Sequence, residues 1–149
     1  MLIRLKKKHK TNKMTIALDV YNVLSDVLLS KHLYDRQKEH FWTVLLSSSN
    51  NITFIDEVSV GNLNSTLATP REIFRWAITK GASKIIVVHN HPSGSLIPSQ
   101  ADSKLVTELS KAGEIIGIEV LDALIITEKS YYSFKSQDKK KILKSPISP

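Results

Sequence analysis

The chain has 149 residues, 42% of them hydrophobic and 23% charged, with no cysteine and a formal net charge of +7. That length suits one domain with a core of moderate size, and the composition excludes wholesale disorder. The absence of cysteine excludes disulfides and thiolate metal sites, and is compatible with the reducing cytoplasm where we expect the protein.

No apolar run approaches the ~20 residues of a membrane span. The opening MLIRLKKKHK has basic residues but no long apolar region behind them, so no signal peptide is expected. Residues 1–13 carry six Lys/Arg and no acid, and residues 135–149 carry five lysines against Asp138. The ends therefore hold +10 and the intervening chain nets −3. Such ends read first as solvated arms, and second as patches for non-specific, salt-dependent nucleic-acid contact. We divide the chain into a basic arm over 1–13, a domain over 14–135 and a lysine-rich tail over 136–149.

From Thr15 to about Lys38, Ile16, Val20, Val23, Leu24, Val27 and Leu28 recur at helical spacing, which predicts one amphipathic helix with a turn near Ser30–Asp35. FWTVLL (Phe41–Leu46) and ITFIDEVSV (Ile52–Val60) read as strands joined in an antiparallel hairpin by a polar turn. Thr69-Pro70-Arg71-Glu72 carries a complete helix start, with Thr69 as N-cap, Pro70 at the first position and Glu72 closing a capping box. That helix should stop at Gly81. Lys84–His89 is apolar enough for a central strand. A further helix is expected from Ser99 to about Ala112, with Leu105, Val106 and Leu109 buried and Gly113 ending it. Ile118–Thr127 gives a strand bent at Asp122, and Tyr131–Phe134 gives a short last one. The pattern is one α/β domain with a mixed sheet between helices.

The chemistry concentrates in IIVVHNHPSGSLIPSQAD, Ile85–Asp102. A strand puts residues i and i+2 on one face, so His89 and His91 should share a space from which Asn90 points away. Strand end, turn and helix start would bring two imidazoles, the Ser99 hydroxyl and the Asp102 carboxylate together. Such nitrogen and oxygen donors suit a catalytic zinc with one position left for water. A structural reading fits Ser99 and Asp102 equally well, as N-cap and as an acid at the positive end of the helix dipole.

His89-Asn90-His91, seven residues, Ser99, two residues and Asp102 match the pattern His-x-His-x7-Ser-x2-Asp. That pattern resembles the signature of the JAMM (JAB/MPN) metalloprotease superfamily. HNHPSG, the earlier PREIF and the later GIEVLD look like its RadC-type branch, with the resemblance running from about Thr15 to Phe134. It implies an MPN/JAB-like, cytidine-deaminase-like α/β domain whose mixed sheet is sandwiched by helices. It also implies one zinc ion held by His89, His91 and Asp102, with Ser99 stabilising the polarised substrate oxygen. The glutamate that serves the family as general base falls on Glu39, with Glu57 as the alternative.

The activity so implied is zinc-dependent cleavage of a peptide or isopeptide-like amide bond in an unknown peptide or protein substrate. The alternative is an accessory role in DNA repair, with the basic ends touching nucleic acid. The chain departs from the pattern in three places. Only a short basic arm precedes the first helix, where the family usually has a helix-hairpin-helix-like region. Asn62 stands where a threonine is usual, and Ala123 where a histidine normally follows Leu121-Asp122.

Overall fold

The computed structural model describes residues 1–3, 17–61 and 68–141 of the chain. The basic arm beyond Ile3, the Asn62 position and the last eight residues of the tail lie outside the described residues.

In chain order the elements are β1 (Leu2–Ile3), α1 (Ala17–Leu29), α2 (Leu33–Arg36), β2 (Glu39–Leu46), β3 (Ile52–Gly61) and α3 (Pro70–Thr79). Then come β4 (Lys84–Asn90), α4 (Gln100–Ile116), β5 (Glu119–Ile126), β6 (Ser130–Ser133) and β7 (Asp138–Lys141). The strands form one seven-stranded sheet in the order β1-β3-β2-β4-β5-β6-β7. β4 is its middle strand, as its apolar run predicts. β4 and β5 pair in parallel, and the other neighbours are antiparallel. A parallel pair needs a crossover, which α4 supplies.

Alternation along the strands divides the core in two. Trp42, Val44, Leu46, Ile55, Ile86, Val88, Leu124 and Ile126 pack with Val20, Leu24 and Leu28 of α1 on one face. Phe41, Leu45, Ile85, Val87 and Ala123 pack with Ile73, Phe74 and Ala77 of α3 and Leu109 of α4 on the other. The molecule is therefore a helix–sheet–helix sandwich, each layer burying one side of a two-sided apolar sheet. Among the described residues no helix is long and apolar enough to cross a membrane.

The expected elements are present, with informative differences at their ends. The first helix stops at Leu29, and Leu33–Arg36 forms a separate turn of helix. Thr69 caps α3 by accepting from the Glu72 N–H, but the Glu72 carboxylate binds Arg75 at 2.6 Å, a local ion pair. Gly113 does not end α4. The helix runs three residues further, to Ile116, and is closed by Gly117, whose φ of 82° makes the left-handed cap that favours glycine. Gly113 instead allows close approach, since a Cβ there would stand 2.4 Å from the Ile118 carbonyl oxygen.

The bend near Asp122 is a register irregularity. Ile85 pairs with Val120 and Ile86 with Asp122, so Leu121 is skipped. At the sheet edges β1 pairs with β3, and β7 pairs with β6 inside the stretch read as tail.

Candidate metal centre

β4 delivers His89 and His91 from its C-terminal end. The His91 N–H continues the pairing to the Ile126 carbonyl at 3.0 Å, which keeps the ring on the His89 side of the sheet. The His91 Nδ1 lies 2.9 Å from the Ser95 carbonyl oxygen. A carbonyl can only accept, so that nitrogen carries the proton and Nε2 is left as the lone-pair donor. His89 is buried, and its ring stacks on Phe41 with centroids 6.0 Å apart and planes 4° from parallel.

Across the loop, α4 begins with a complete capping box. The Ser99 Oγ accepts from the Asp102 N–H at 3.0 Å, and the Asp102 Oδ2 accepts from the Ser99 N–H at 2.9 Å. The structural reading of these two residues thus holds. Asp102 has a second set of neighbours as well, with Oδ1 3.3 Å from His89 Nε2 and Oδ2 3.3 Å from His91 Nε2. The capping box fixes the carboxylate on the two imidazoles, so cap and cluster are one arrangement.

Burial alone would push the Asp102 carboxyl up, but the two adjacent imidazoles outweigh it and hold it well below the usual carboxylate range. Asp102 in turn raises His91, opposed by burial and aided by the Ser95 carbonyl and the charge of Glu39.

The three side chains fit a metal ion on two observations. One ligand atom from each lies within 4.8 Å of the others. The donor set, two imidazoles and one carboxylate, is of the kind that holds a catalytic zinc. In addition, the His89 Nε2 is buried and makes no hydrogen bond. Its polar neighbour, Asp102 Oδ1, is 3.3 Å away without hydrogen-bond geometry; an unsatisfied buried polar atom is costly, and a metal ion would satisfy it.

Glu39 opens β2 on the same side of the sheet. β2 and β4 pair antiparallel as far as Phe41 opposite His89, so Glu39 and His91 each lie two residues beyond the last pair. Both residues line an open cleft of about 560 Å³ with Gly61, Ser93, Ser95 and Ile97. A second cavity of about 720 Å³ lies beyond His91 and Pro92, lined by Leu28, Leu33, Arg36 and Lys129.

Glu57 is elsewhere. It is buried with its Oε1 2.9 Å from His40 Nδ1 and 3.0 Å from Lys31 Nζ. His40, adjacent to Glu39 on a strand, faces the opposite side of the sheet and stacks on Trp42. Ala123 sits in the apolar cluster with Val87 and Leu109 and is not one of the three grouped donors.

Sequence reasoning missed three contacts that shape the site: the Phe41 ring on His89, the Ser95 carbonyl on His91, and the Asn90 side chain. Asn90 is buried behind the histidines, its Oδ1 accepting from the His40 N–H at 2.6 Å and its Nδ2 donating to the Lys38 carbonyl at 3.0 Å. Each depends on how β2 is registered against β4 or on a loop path, and neither is visible in local sequence.

Sandwich, sheet order and a His-x-His strand end facing a capped helix define a JAB/MPN-type α/β domain with a potential metal centre. The chain belongs to the RadC-like JAB domain family, whose model matches residues 15–140. It is 52% identical over 99 residues to a UPF0758 protein of Clostridioides difficile, covering 66% of this chain and 42% of that one. It is 40% identical over 136 residues to a UPF0758 protein of Chlorobium phaeovibrioides, covering 91% and 59%. It is also 44% identical over 110 residues to one of Desulforamulus reducens, covering 74% and 48%. The chain thus spans about half the length of the curated relatives it matches.

Proposed function

We propose that this domain is a zinc-dependent hydrolase cleaving a peptide or isopeptide-type amide bond, with His89, His91 and Asp102 as ligands and Glu39 as general base. The observation that carries it is the convergence of those three donors beside a cleft whose opposite lip is Glu39. A zinc ion held there would act as a Lewis acid and bring the pKa of a water towards ~7. Two neutral imidazoles and a single carboxylate leave such an ion a net positive charge, which favours that chemistry.

The Glu39 carboxylate takes a proton from water in the cleft and passes it to the leaving nitrogen. The Ser99 Oγ accepts within the capping box and still carries its own O–H, which it donates to the developing oxyanion of the substrate carbonyl. The Nδ1 bond of His91 to Ser95 keeps Nε2 aimed inward throughout. The open cleft admits an extended segment of polypeptide, and its volume falls in the range of ordinary substrate sites.

The test is to incubate the zinc-loaded chain with a mixed peptide and isopeptide library and read new termini by mass spectrometry. Cleavage should need zinc and should vanish in Glu39→Gln. Products that persist unchanged in Glu39→Gln and in the chelated protein would overturn the assignment.

A further inference from the structure

We propose that Asn90 is a positioning residue whose side-chain amide sets the distance between Glu39 and the His89–His91–Asp102 cluster. This rests on the reading of Glu39 as the base. Main-chain pairing of β2 with β4 ends at Phe41 opposite His89. Were it to continue, His40 would pair with Asn90. Instead the Asn90 side chain takes over, accepting from the His40 N–H at 2.6 Å and donating to the Lys38 carbonyl at 3.0 Å.

Those two backbone groups flank Glu39 on either side. A side-chain amide carries the same donor and acceptor as a peptide group but stands further from its own main chain. It therefore serves as a long rung. The strands stay tied where they separate, and the cleft between Glu39 and His91 opens to the width of that rung. Asn90 is 1% exposed and lies behind the sheet face that carries the histidines, at the wall of the second cavity.

Asparagine fits this task for reasons of length and chemistry. Leucine has the same shape without donor or acceptor, and glutamine adds a methylene. Aspartate keeps an acceptor for His40 but turns a second oxygen on the Lys38 carbonyl. The bond from the His40 N–H is buried and that to the Lys38 carbonyl part-buried, so a lost partner is poorly replaced by water.

The experiment uses the full chain, isotopically labelled, as wild type, Asn90→Leu and Asn90→Asp. In metal-free protein, Asn90→Leu should speed hydrogen exchange of the His40 amide by on the order of tenfold. The Val44 and Val88 amides should keep their wild-type rates. With one equivalent of cobalt(II), the pseudocontact shifts of the Glu39 and His40 amides should change in Asn90→Leu, while those of Ser103 and Lys104 stay put. Unchanged His40 exchange, or unchanged Glu39 shifts, would overturn the proposal.

If Asn90→Leu does not fold, Asn90→Asp decides. It should protect the His40 amide and still move the Glu39 shift, and an unmoved Glu39 shift refutes the rung. A wild type that binds no cobalt counts against the metal centre and leaves the exchange comparison to decide. A Glu39→Gln variant with full turnover counts against the base and leaves both Asn90 readouts standing.

Discussion

His40 and Glu57 are joined at 2.9 Å on the sheet face opposite the His89–His91–Asp102 group. The other nitrogen of His40 lies 2.7 Å from the Asp35 carbonyl oxygen, so it must carry a proton, and Lys31 completes the surroundings of the carboxylate. Burial would push Glu57 up, yet the partnership of His40 and Lys31 outweighs it and leaves the group below its ordinary value of 4.5. Glu57 is committed to a structural ion pair.

Glu57→Gln should therefore destabilise the fold by about 2–3 kcal/mol at neutral pH, since it removes one member of a buried charged pair. A depressed folded-state pKa contributes stability above the unfolded value, lost as pH falls through the folded one. The gap in Tm between wild type and Glu57→Gln should be full above pH ~5 and should close under acid. A gap that widens below pH 4 would contradict the pairing. Glu39→Gln should leave Tm nearly unchanged.

Metal analysis should find one zinc per chain, and zinc should raise Tm by mass action, about 2.7 kcal/mol at a hundredfold excess over Kd. His89→Ala should abolish both effects. Asp102 separates its two tasks by substitution. Asp102→Asn keeps an oxygen for the Ser99 N–H but loses the charge facing the two imidazoles, so it should weaken zinc and cost less apo stability than Asp102→Ala. Asp102→Ala should lose the zinc and about 1–2 kcal/mol besides. Equal zinc content in all three variants would remove these residues from the site.

Ser99→Ala should cost about 1 kcal/mol through the lost cap. Ser99→Asn restores a good cap without restoring the hydroxyl. If the hydroxyl serves the reaction, turnover stays low in Ser99→Asn although Tm recovers. Full recovery of both would confine Ser99 to capping.

Gly113→Ala adds a residue with better helix propensity by about 1 kcal/mol, yet it should destabilise. The new Cβ would stand 2.4 Å from the Ile118 carbonyl oxygen, and that backbone, leading into β5, has to move. A net loss of about 2 kcal/mol in urea unfolding is expected. A gain in stability would show that the helix shifts freely on the sheet.

What could be read directly from sequence was whatever local periodicity or local chemistry controls. The His-x-His spacing placed both imidazoles on one side, and Ser99 with Asp102 announced a helix start. Glu39 was assigned by family resemblance; the register of β2 against β4 then brought it to His91, and no local rule gives that register. Gly113 was misread because a glycine that stops a helix and one that admits a neighbouring carbonyl look alike in sequence. β7 was hidden because a lysine-rich run in sequence reads as a solvated tail. His40 and Glu57 had no visible connection, since they meet only once β2 and β3 pair.

The three metal donors lie within one strand–loop–helix unit, whereas Glu39 arrives by long-range pairing of β2 with β4. Closing a short loop costs less entropy than joining distant segments. During folding the donors can therefore gather before the strand that carries the carboxylate docks. On the proposed reading, the ligand set would be complete before its base arrives, and hydrolysis would wait on the docking of β2.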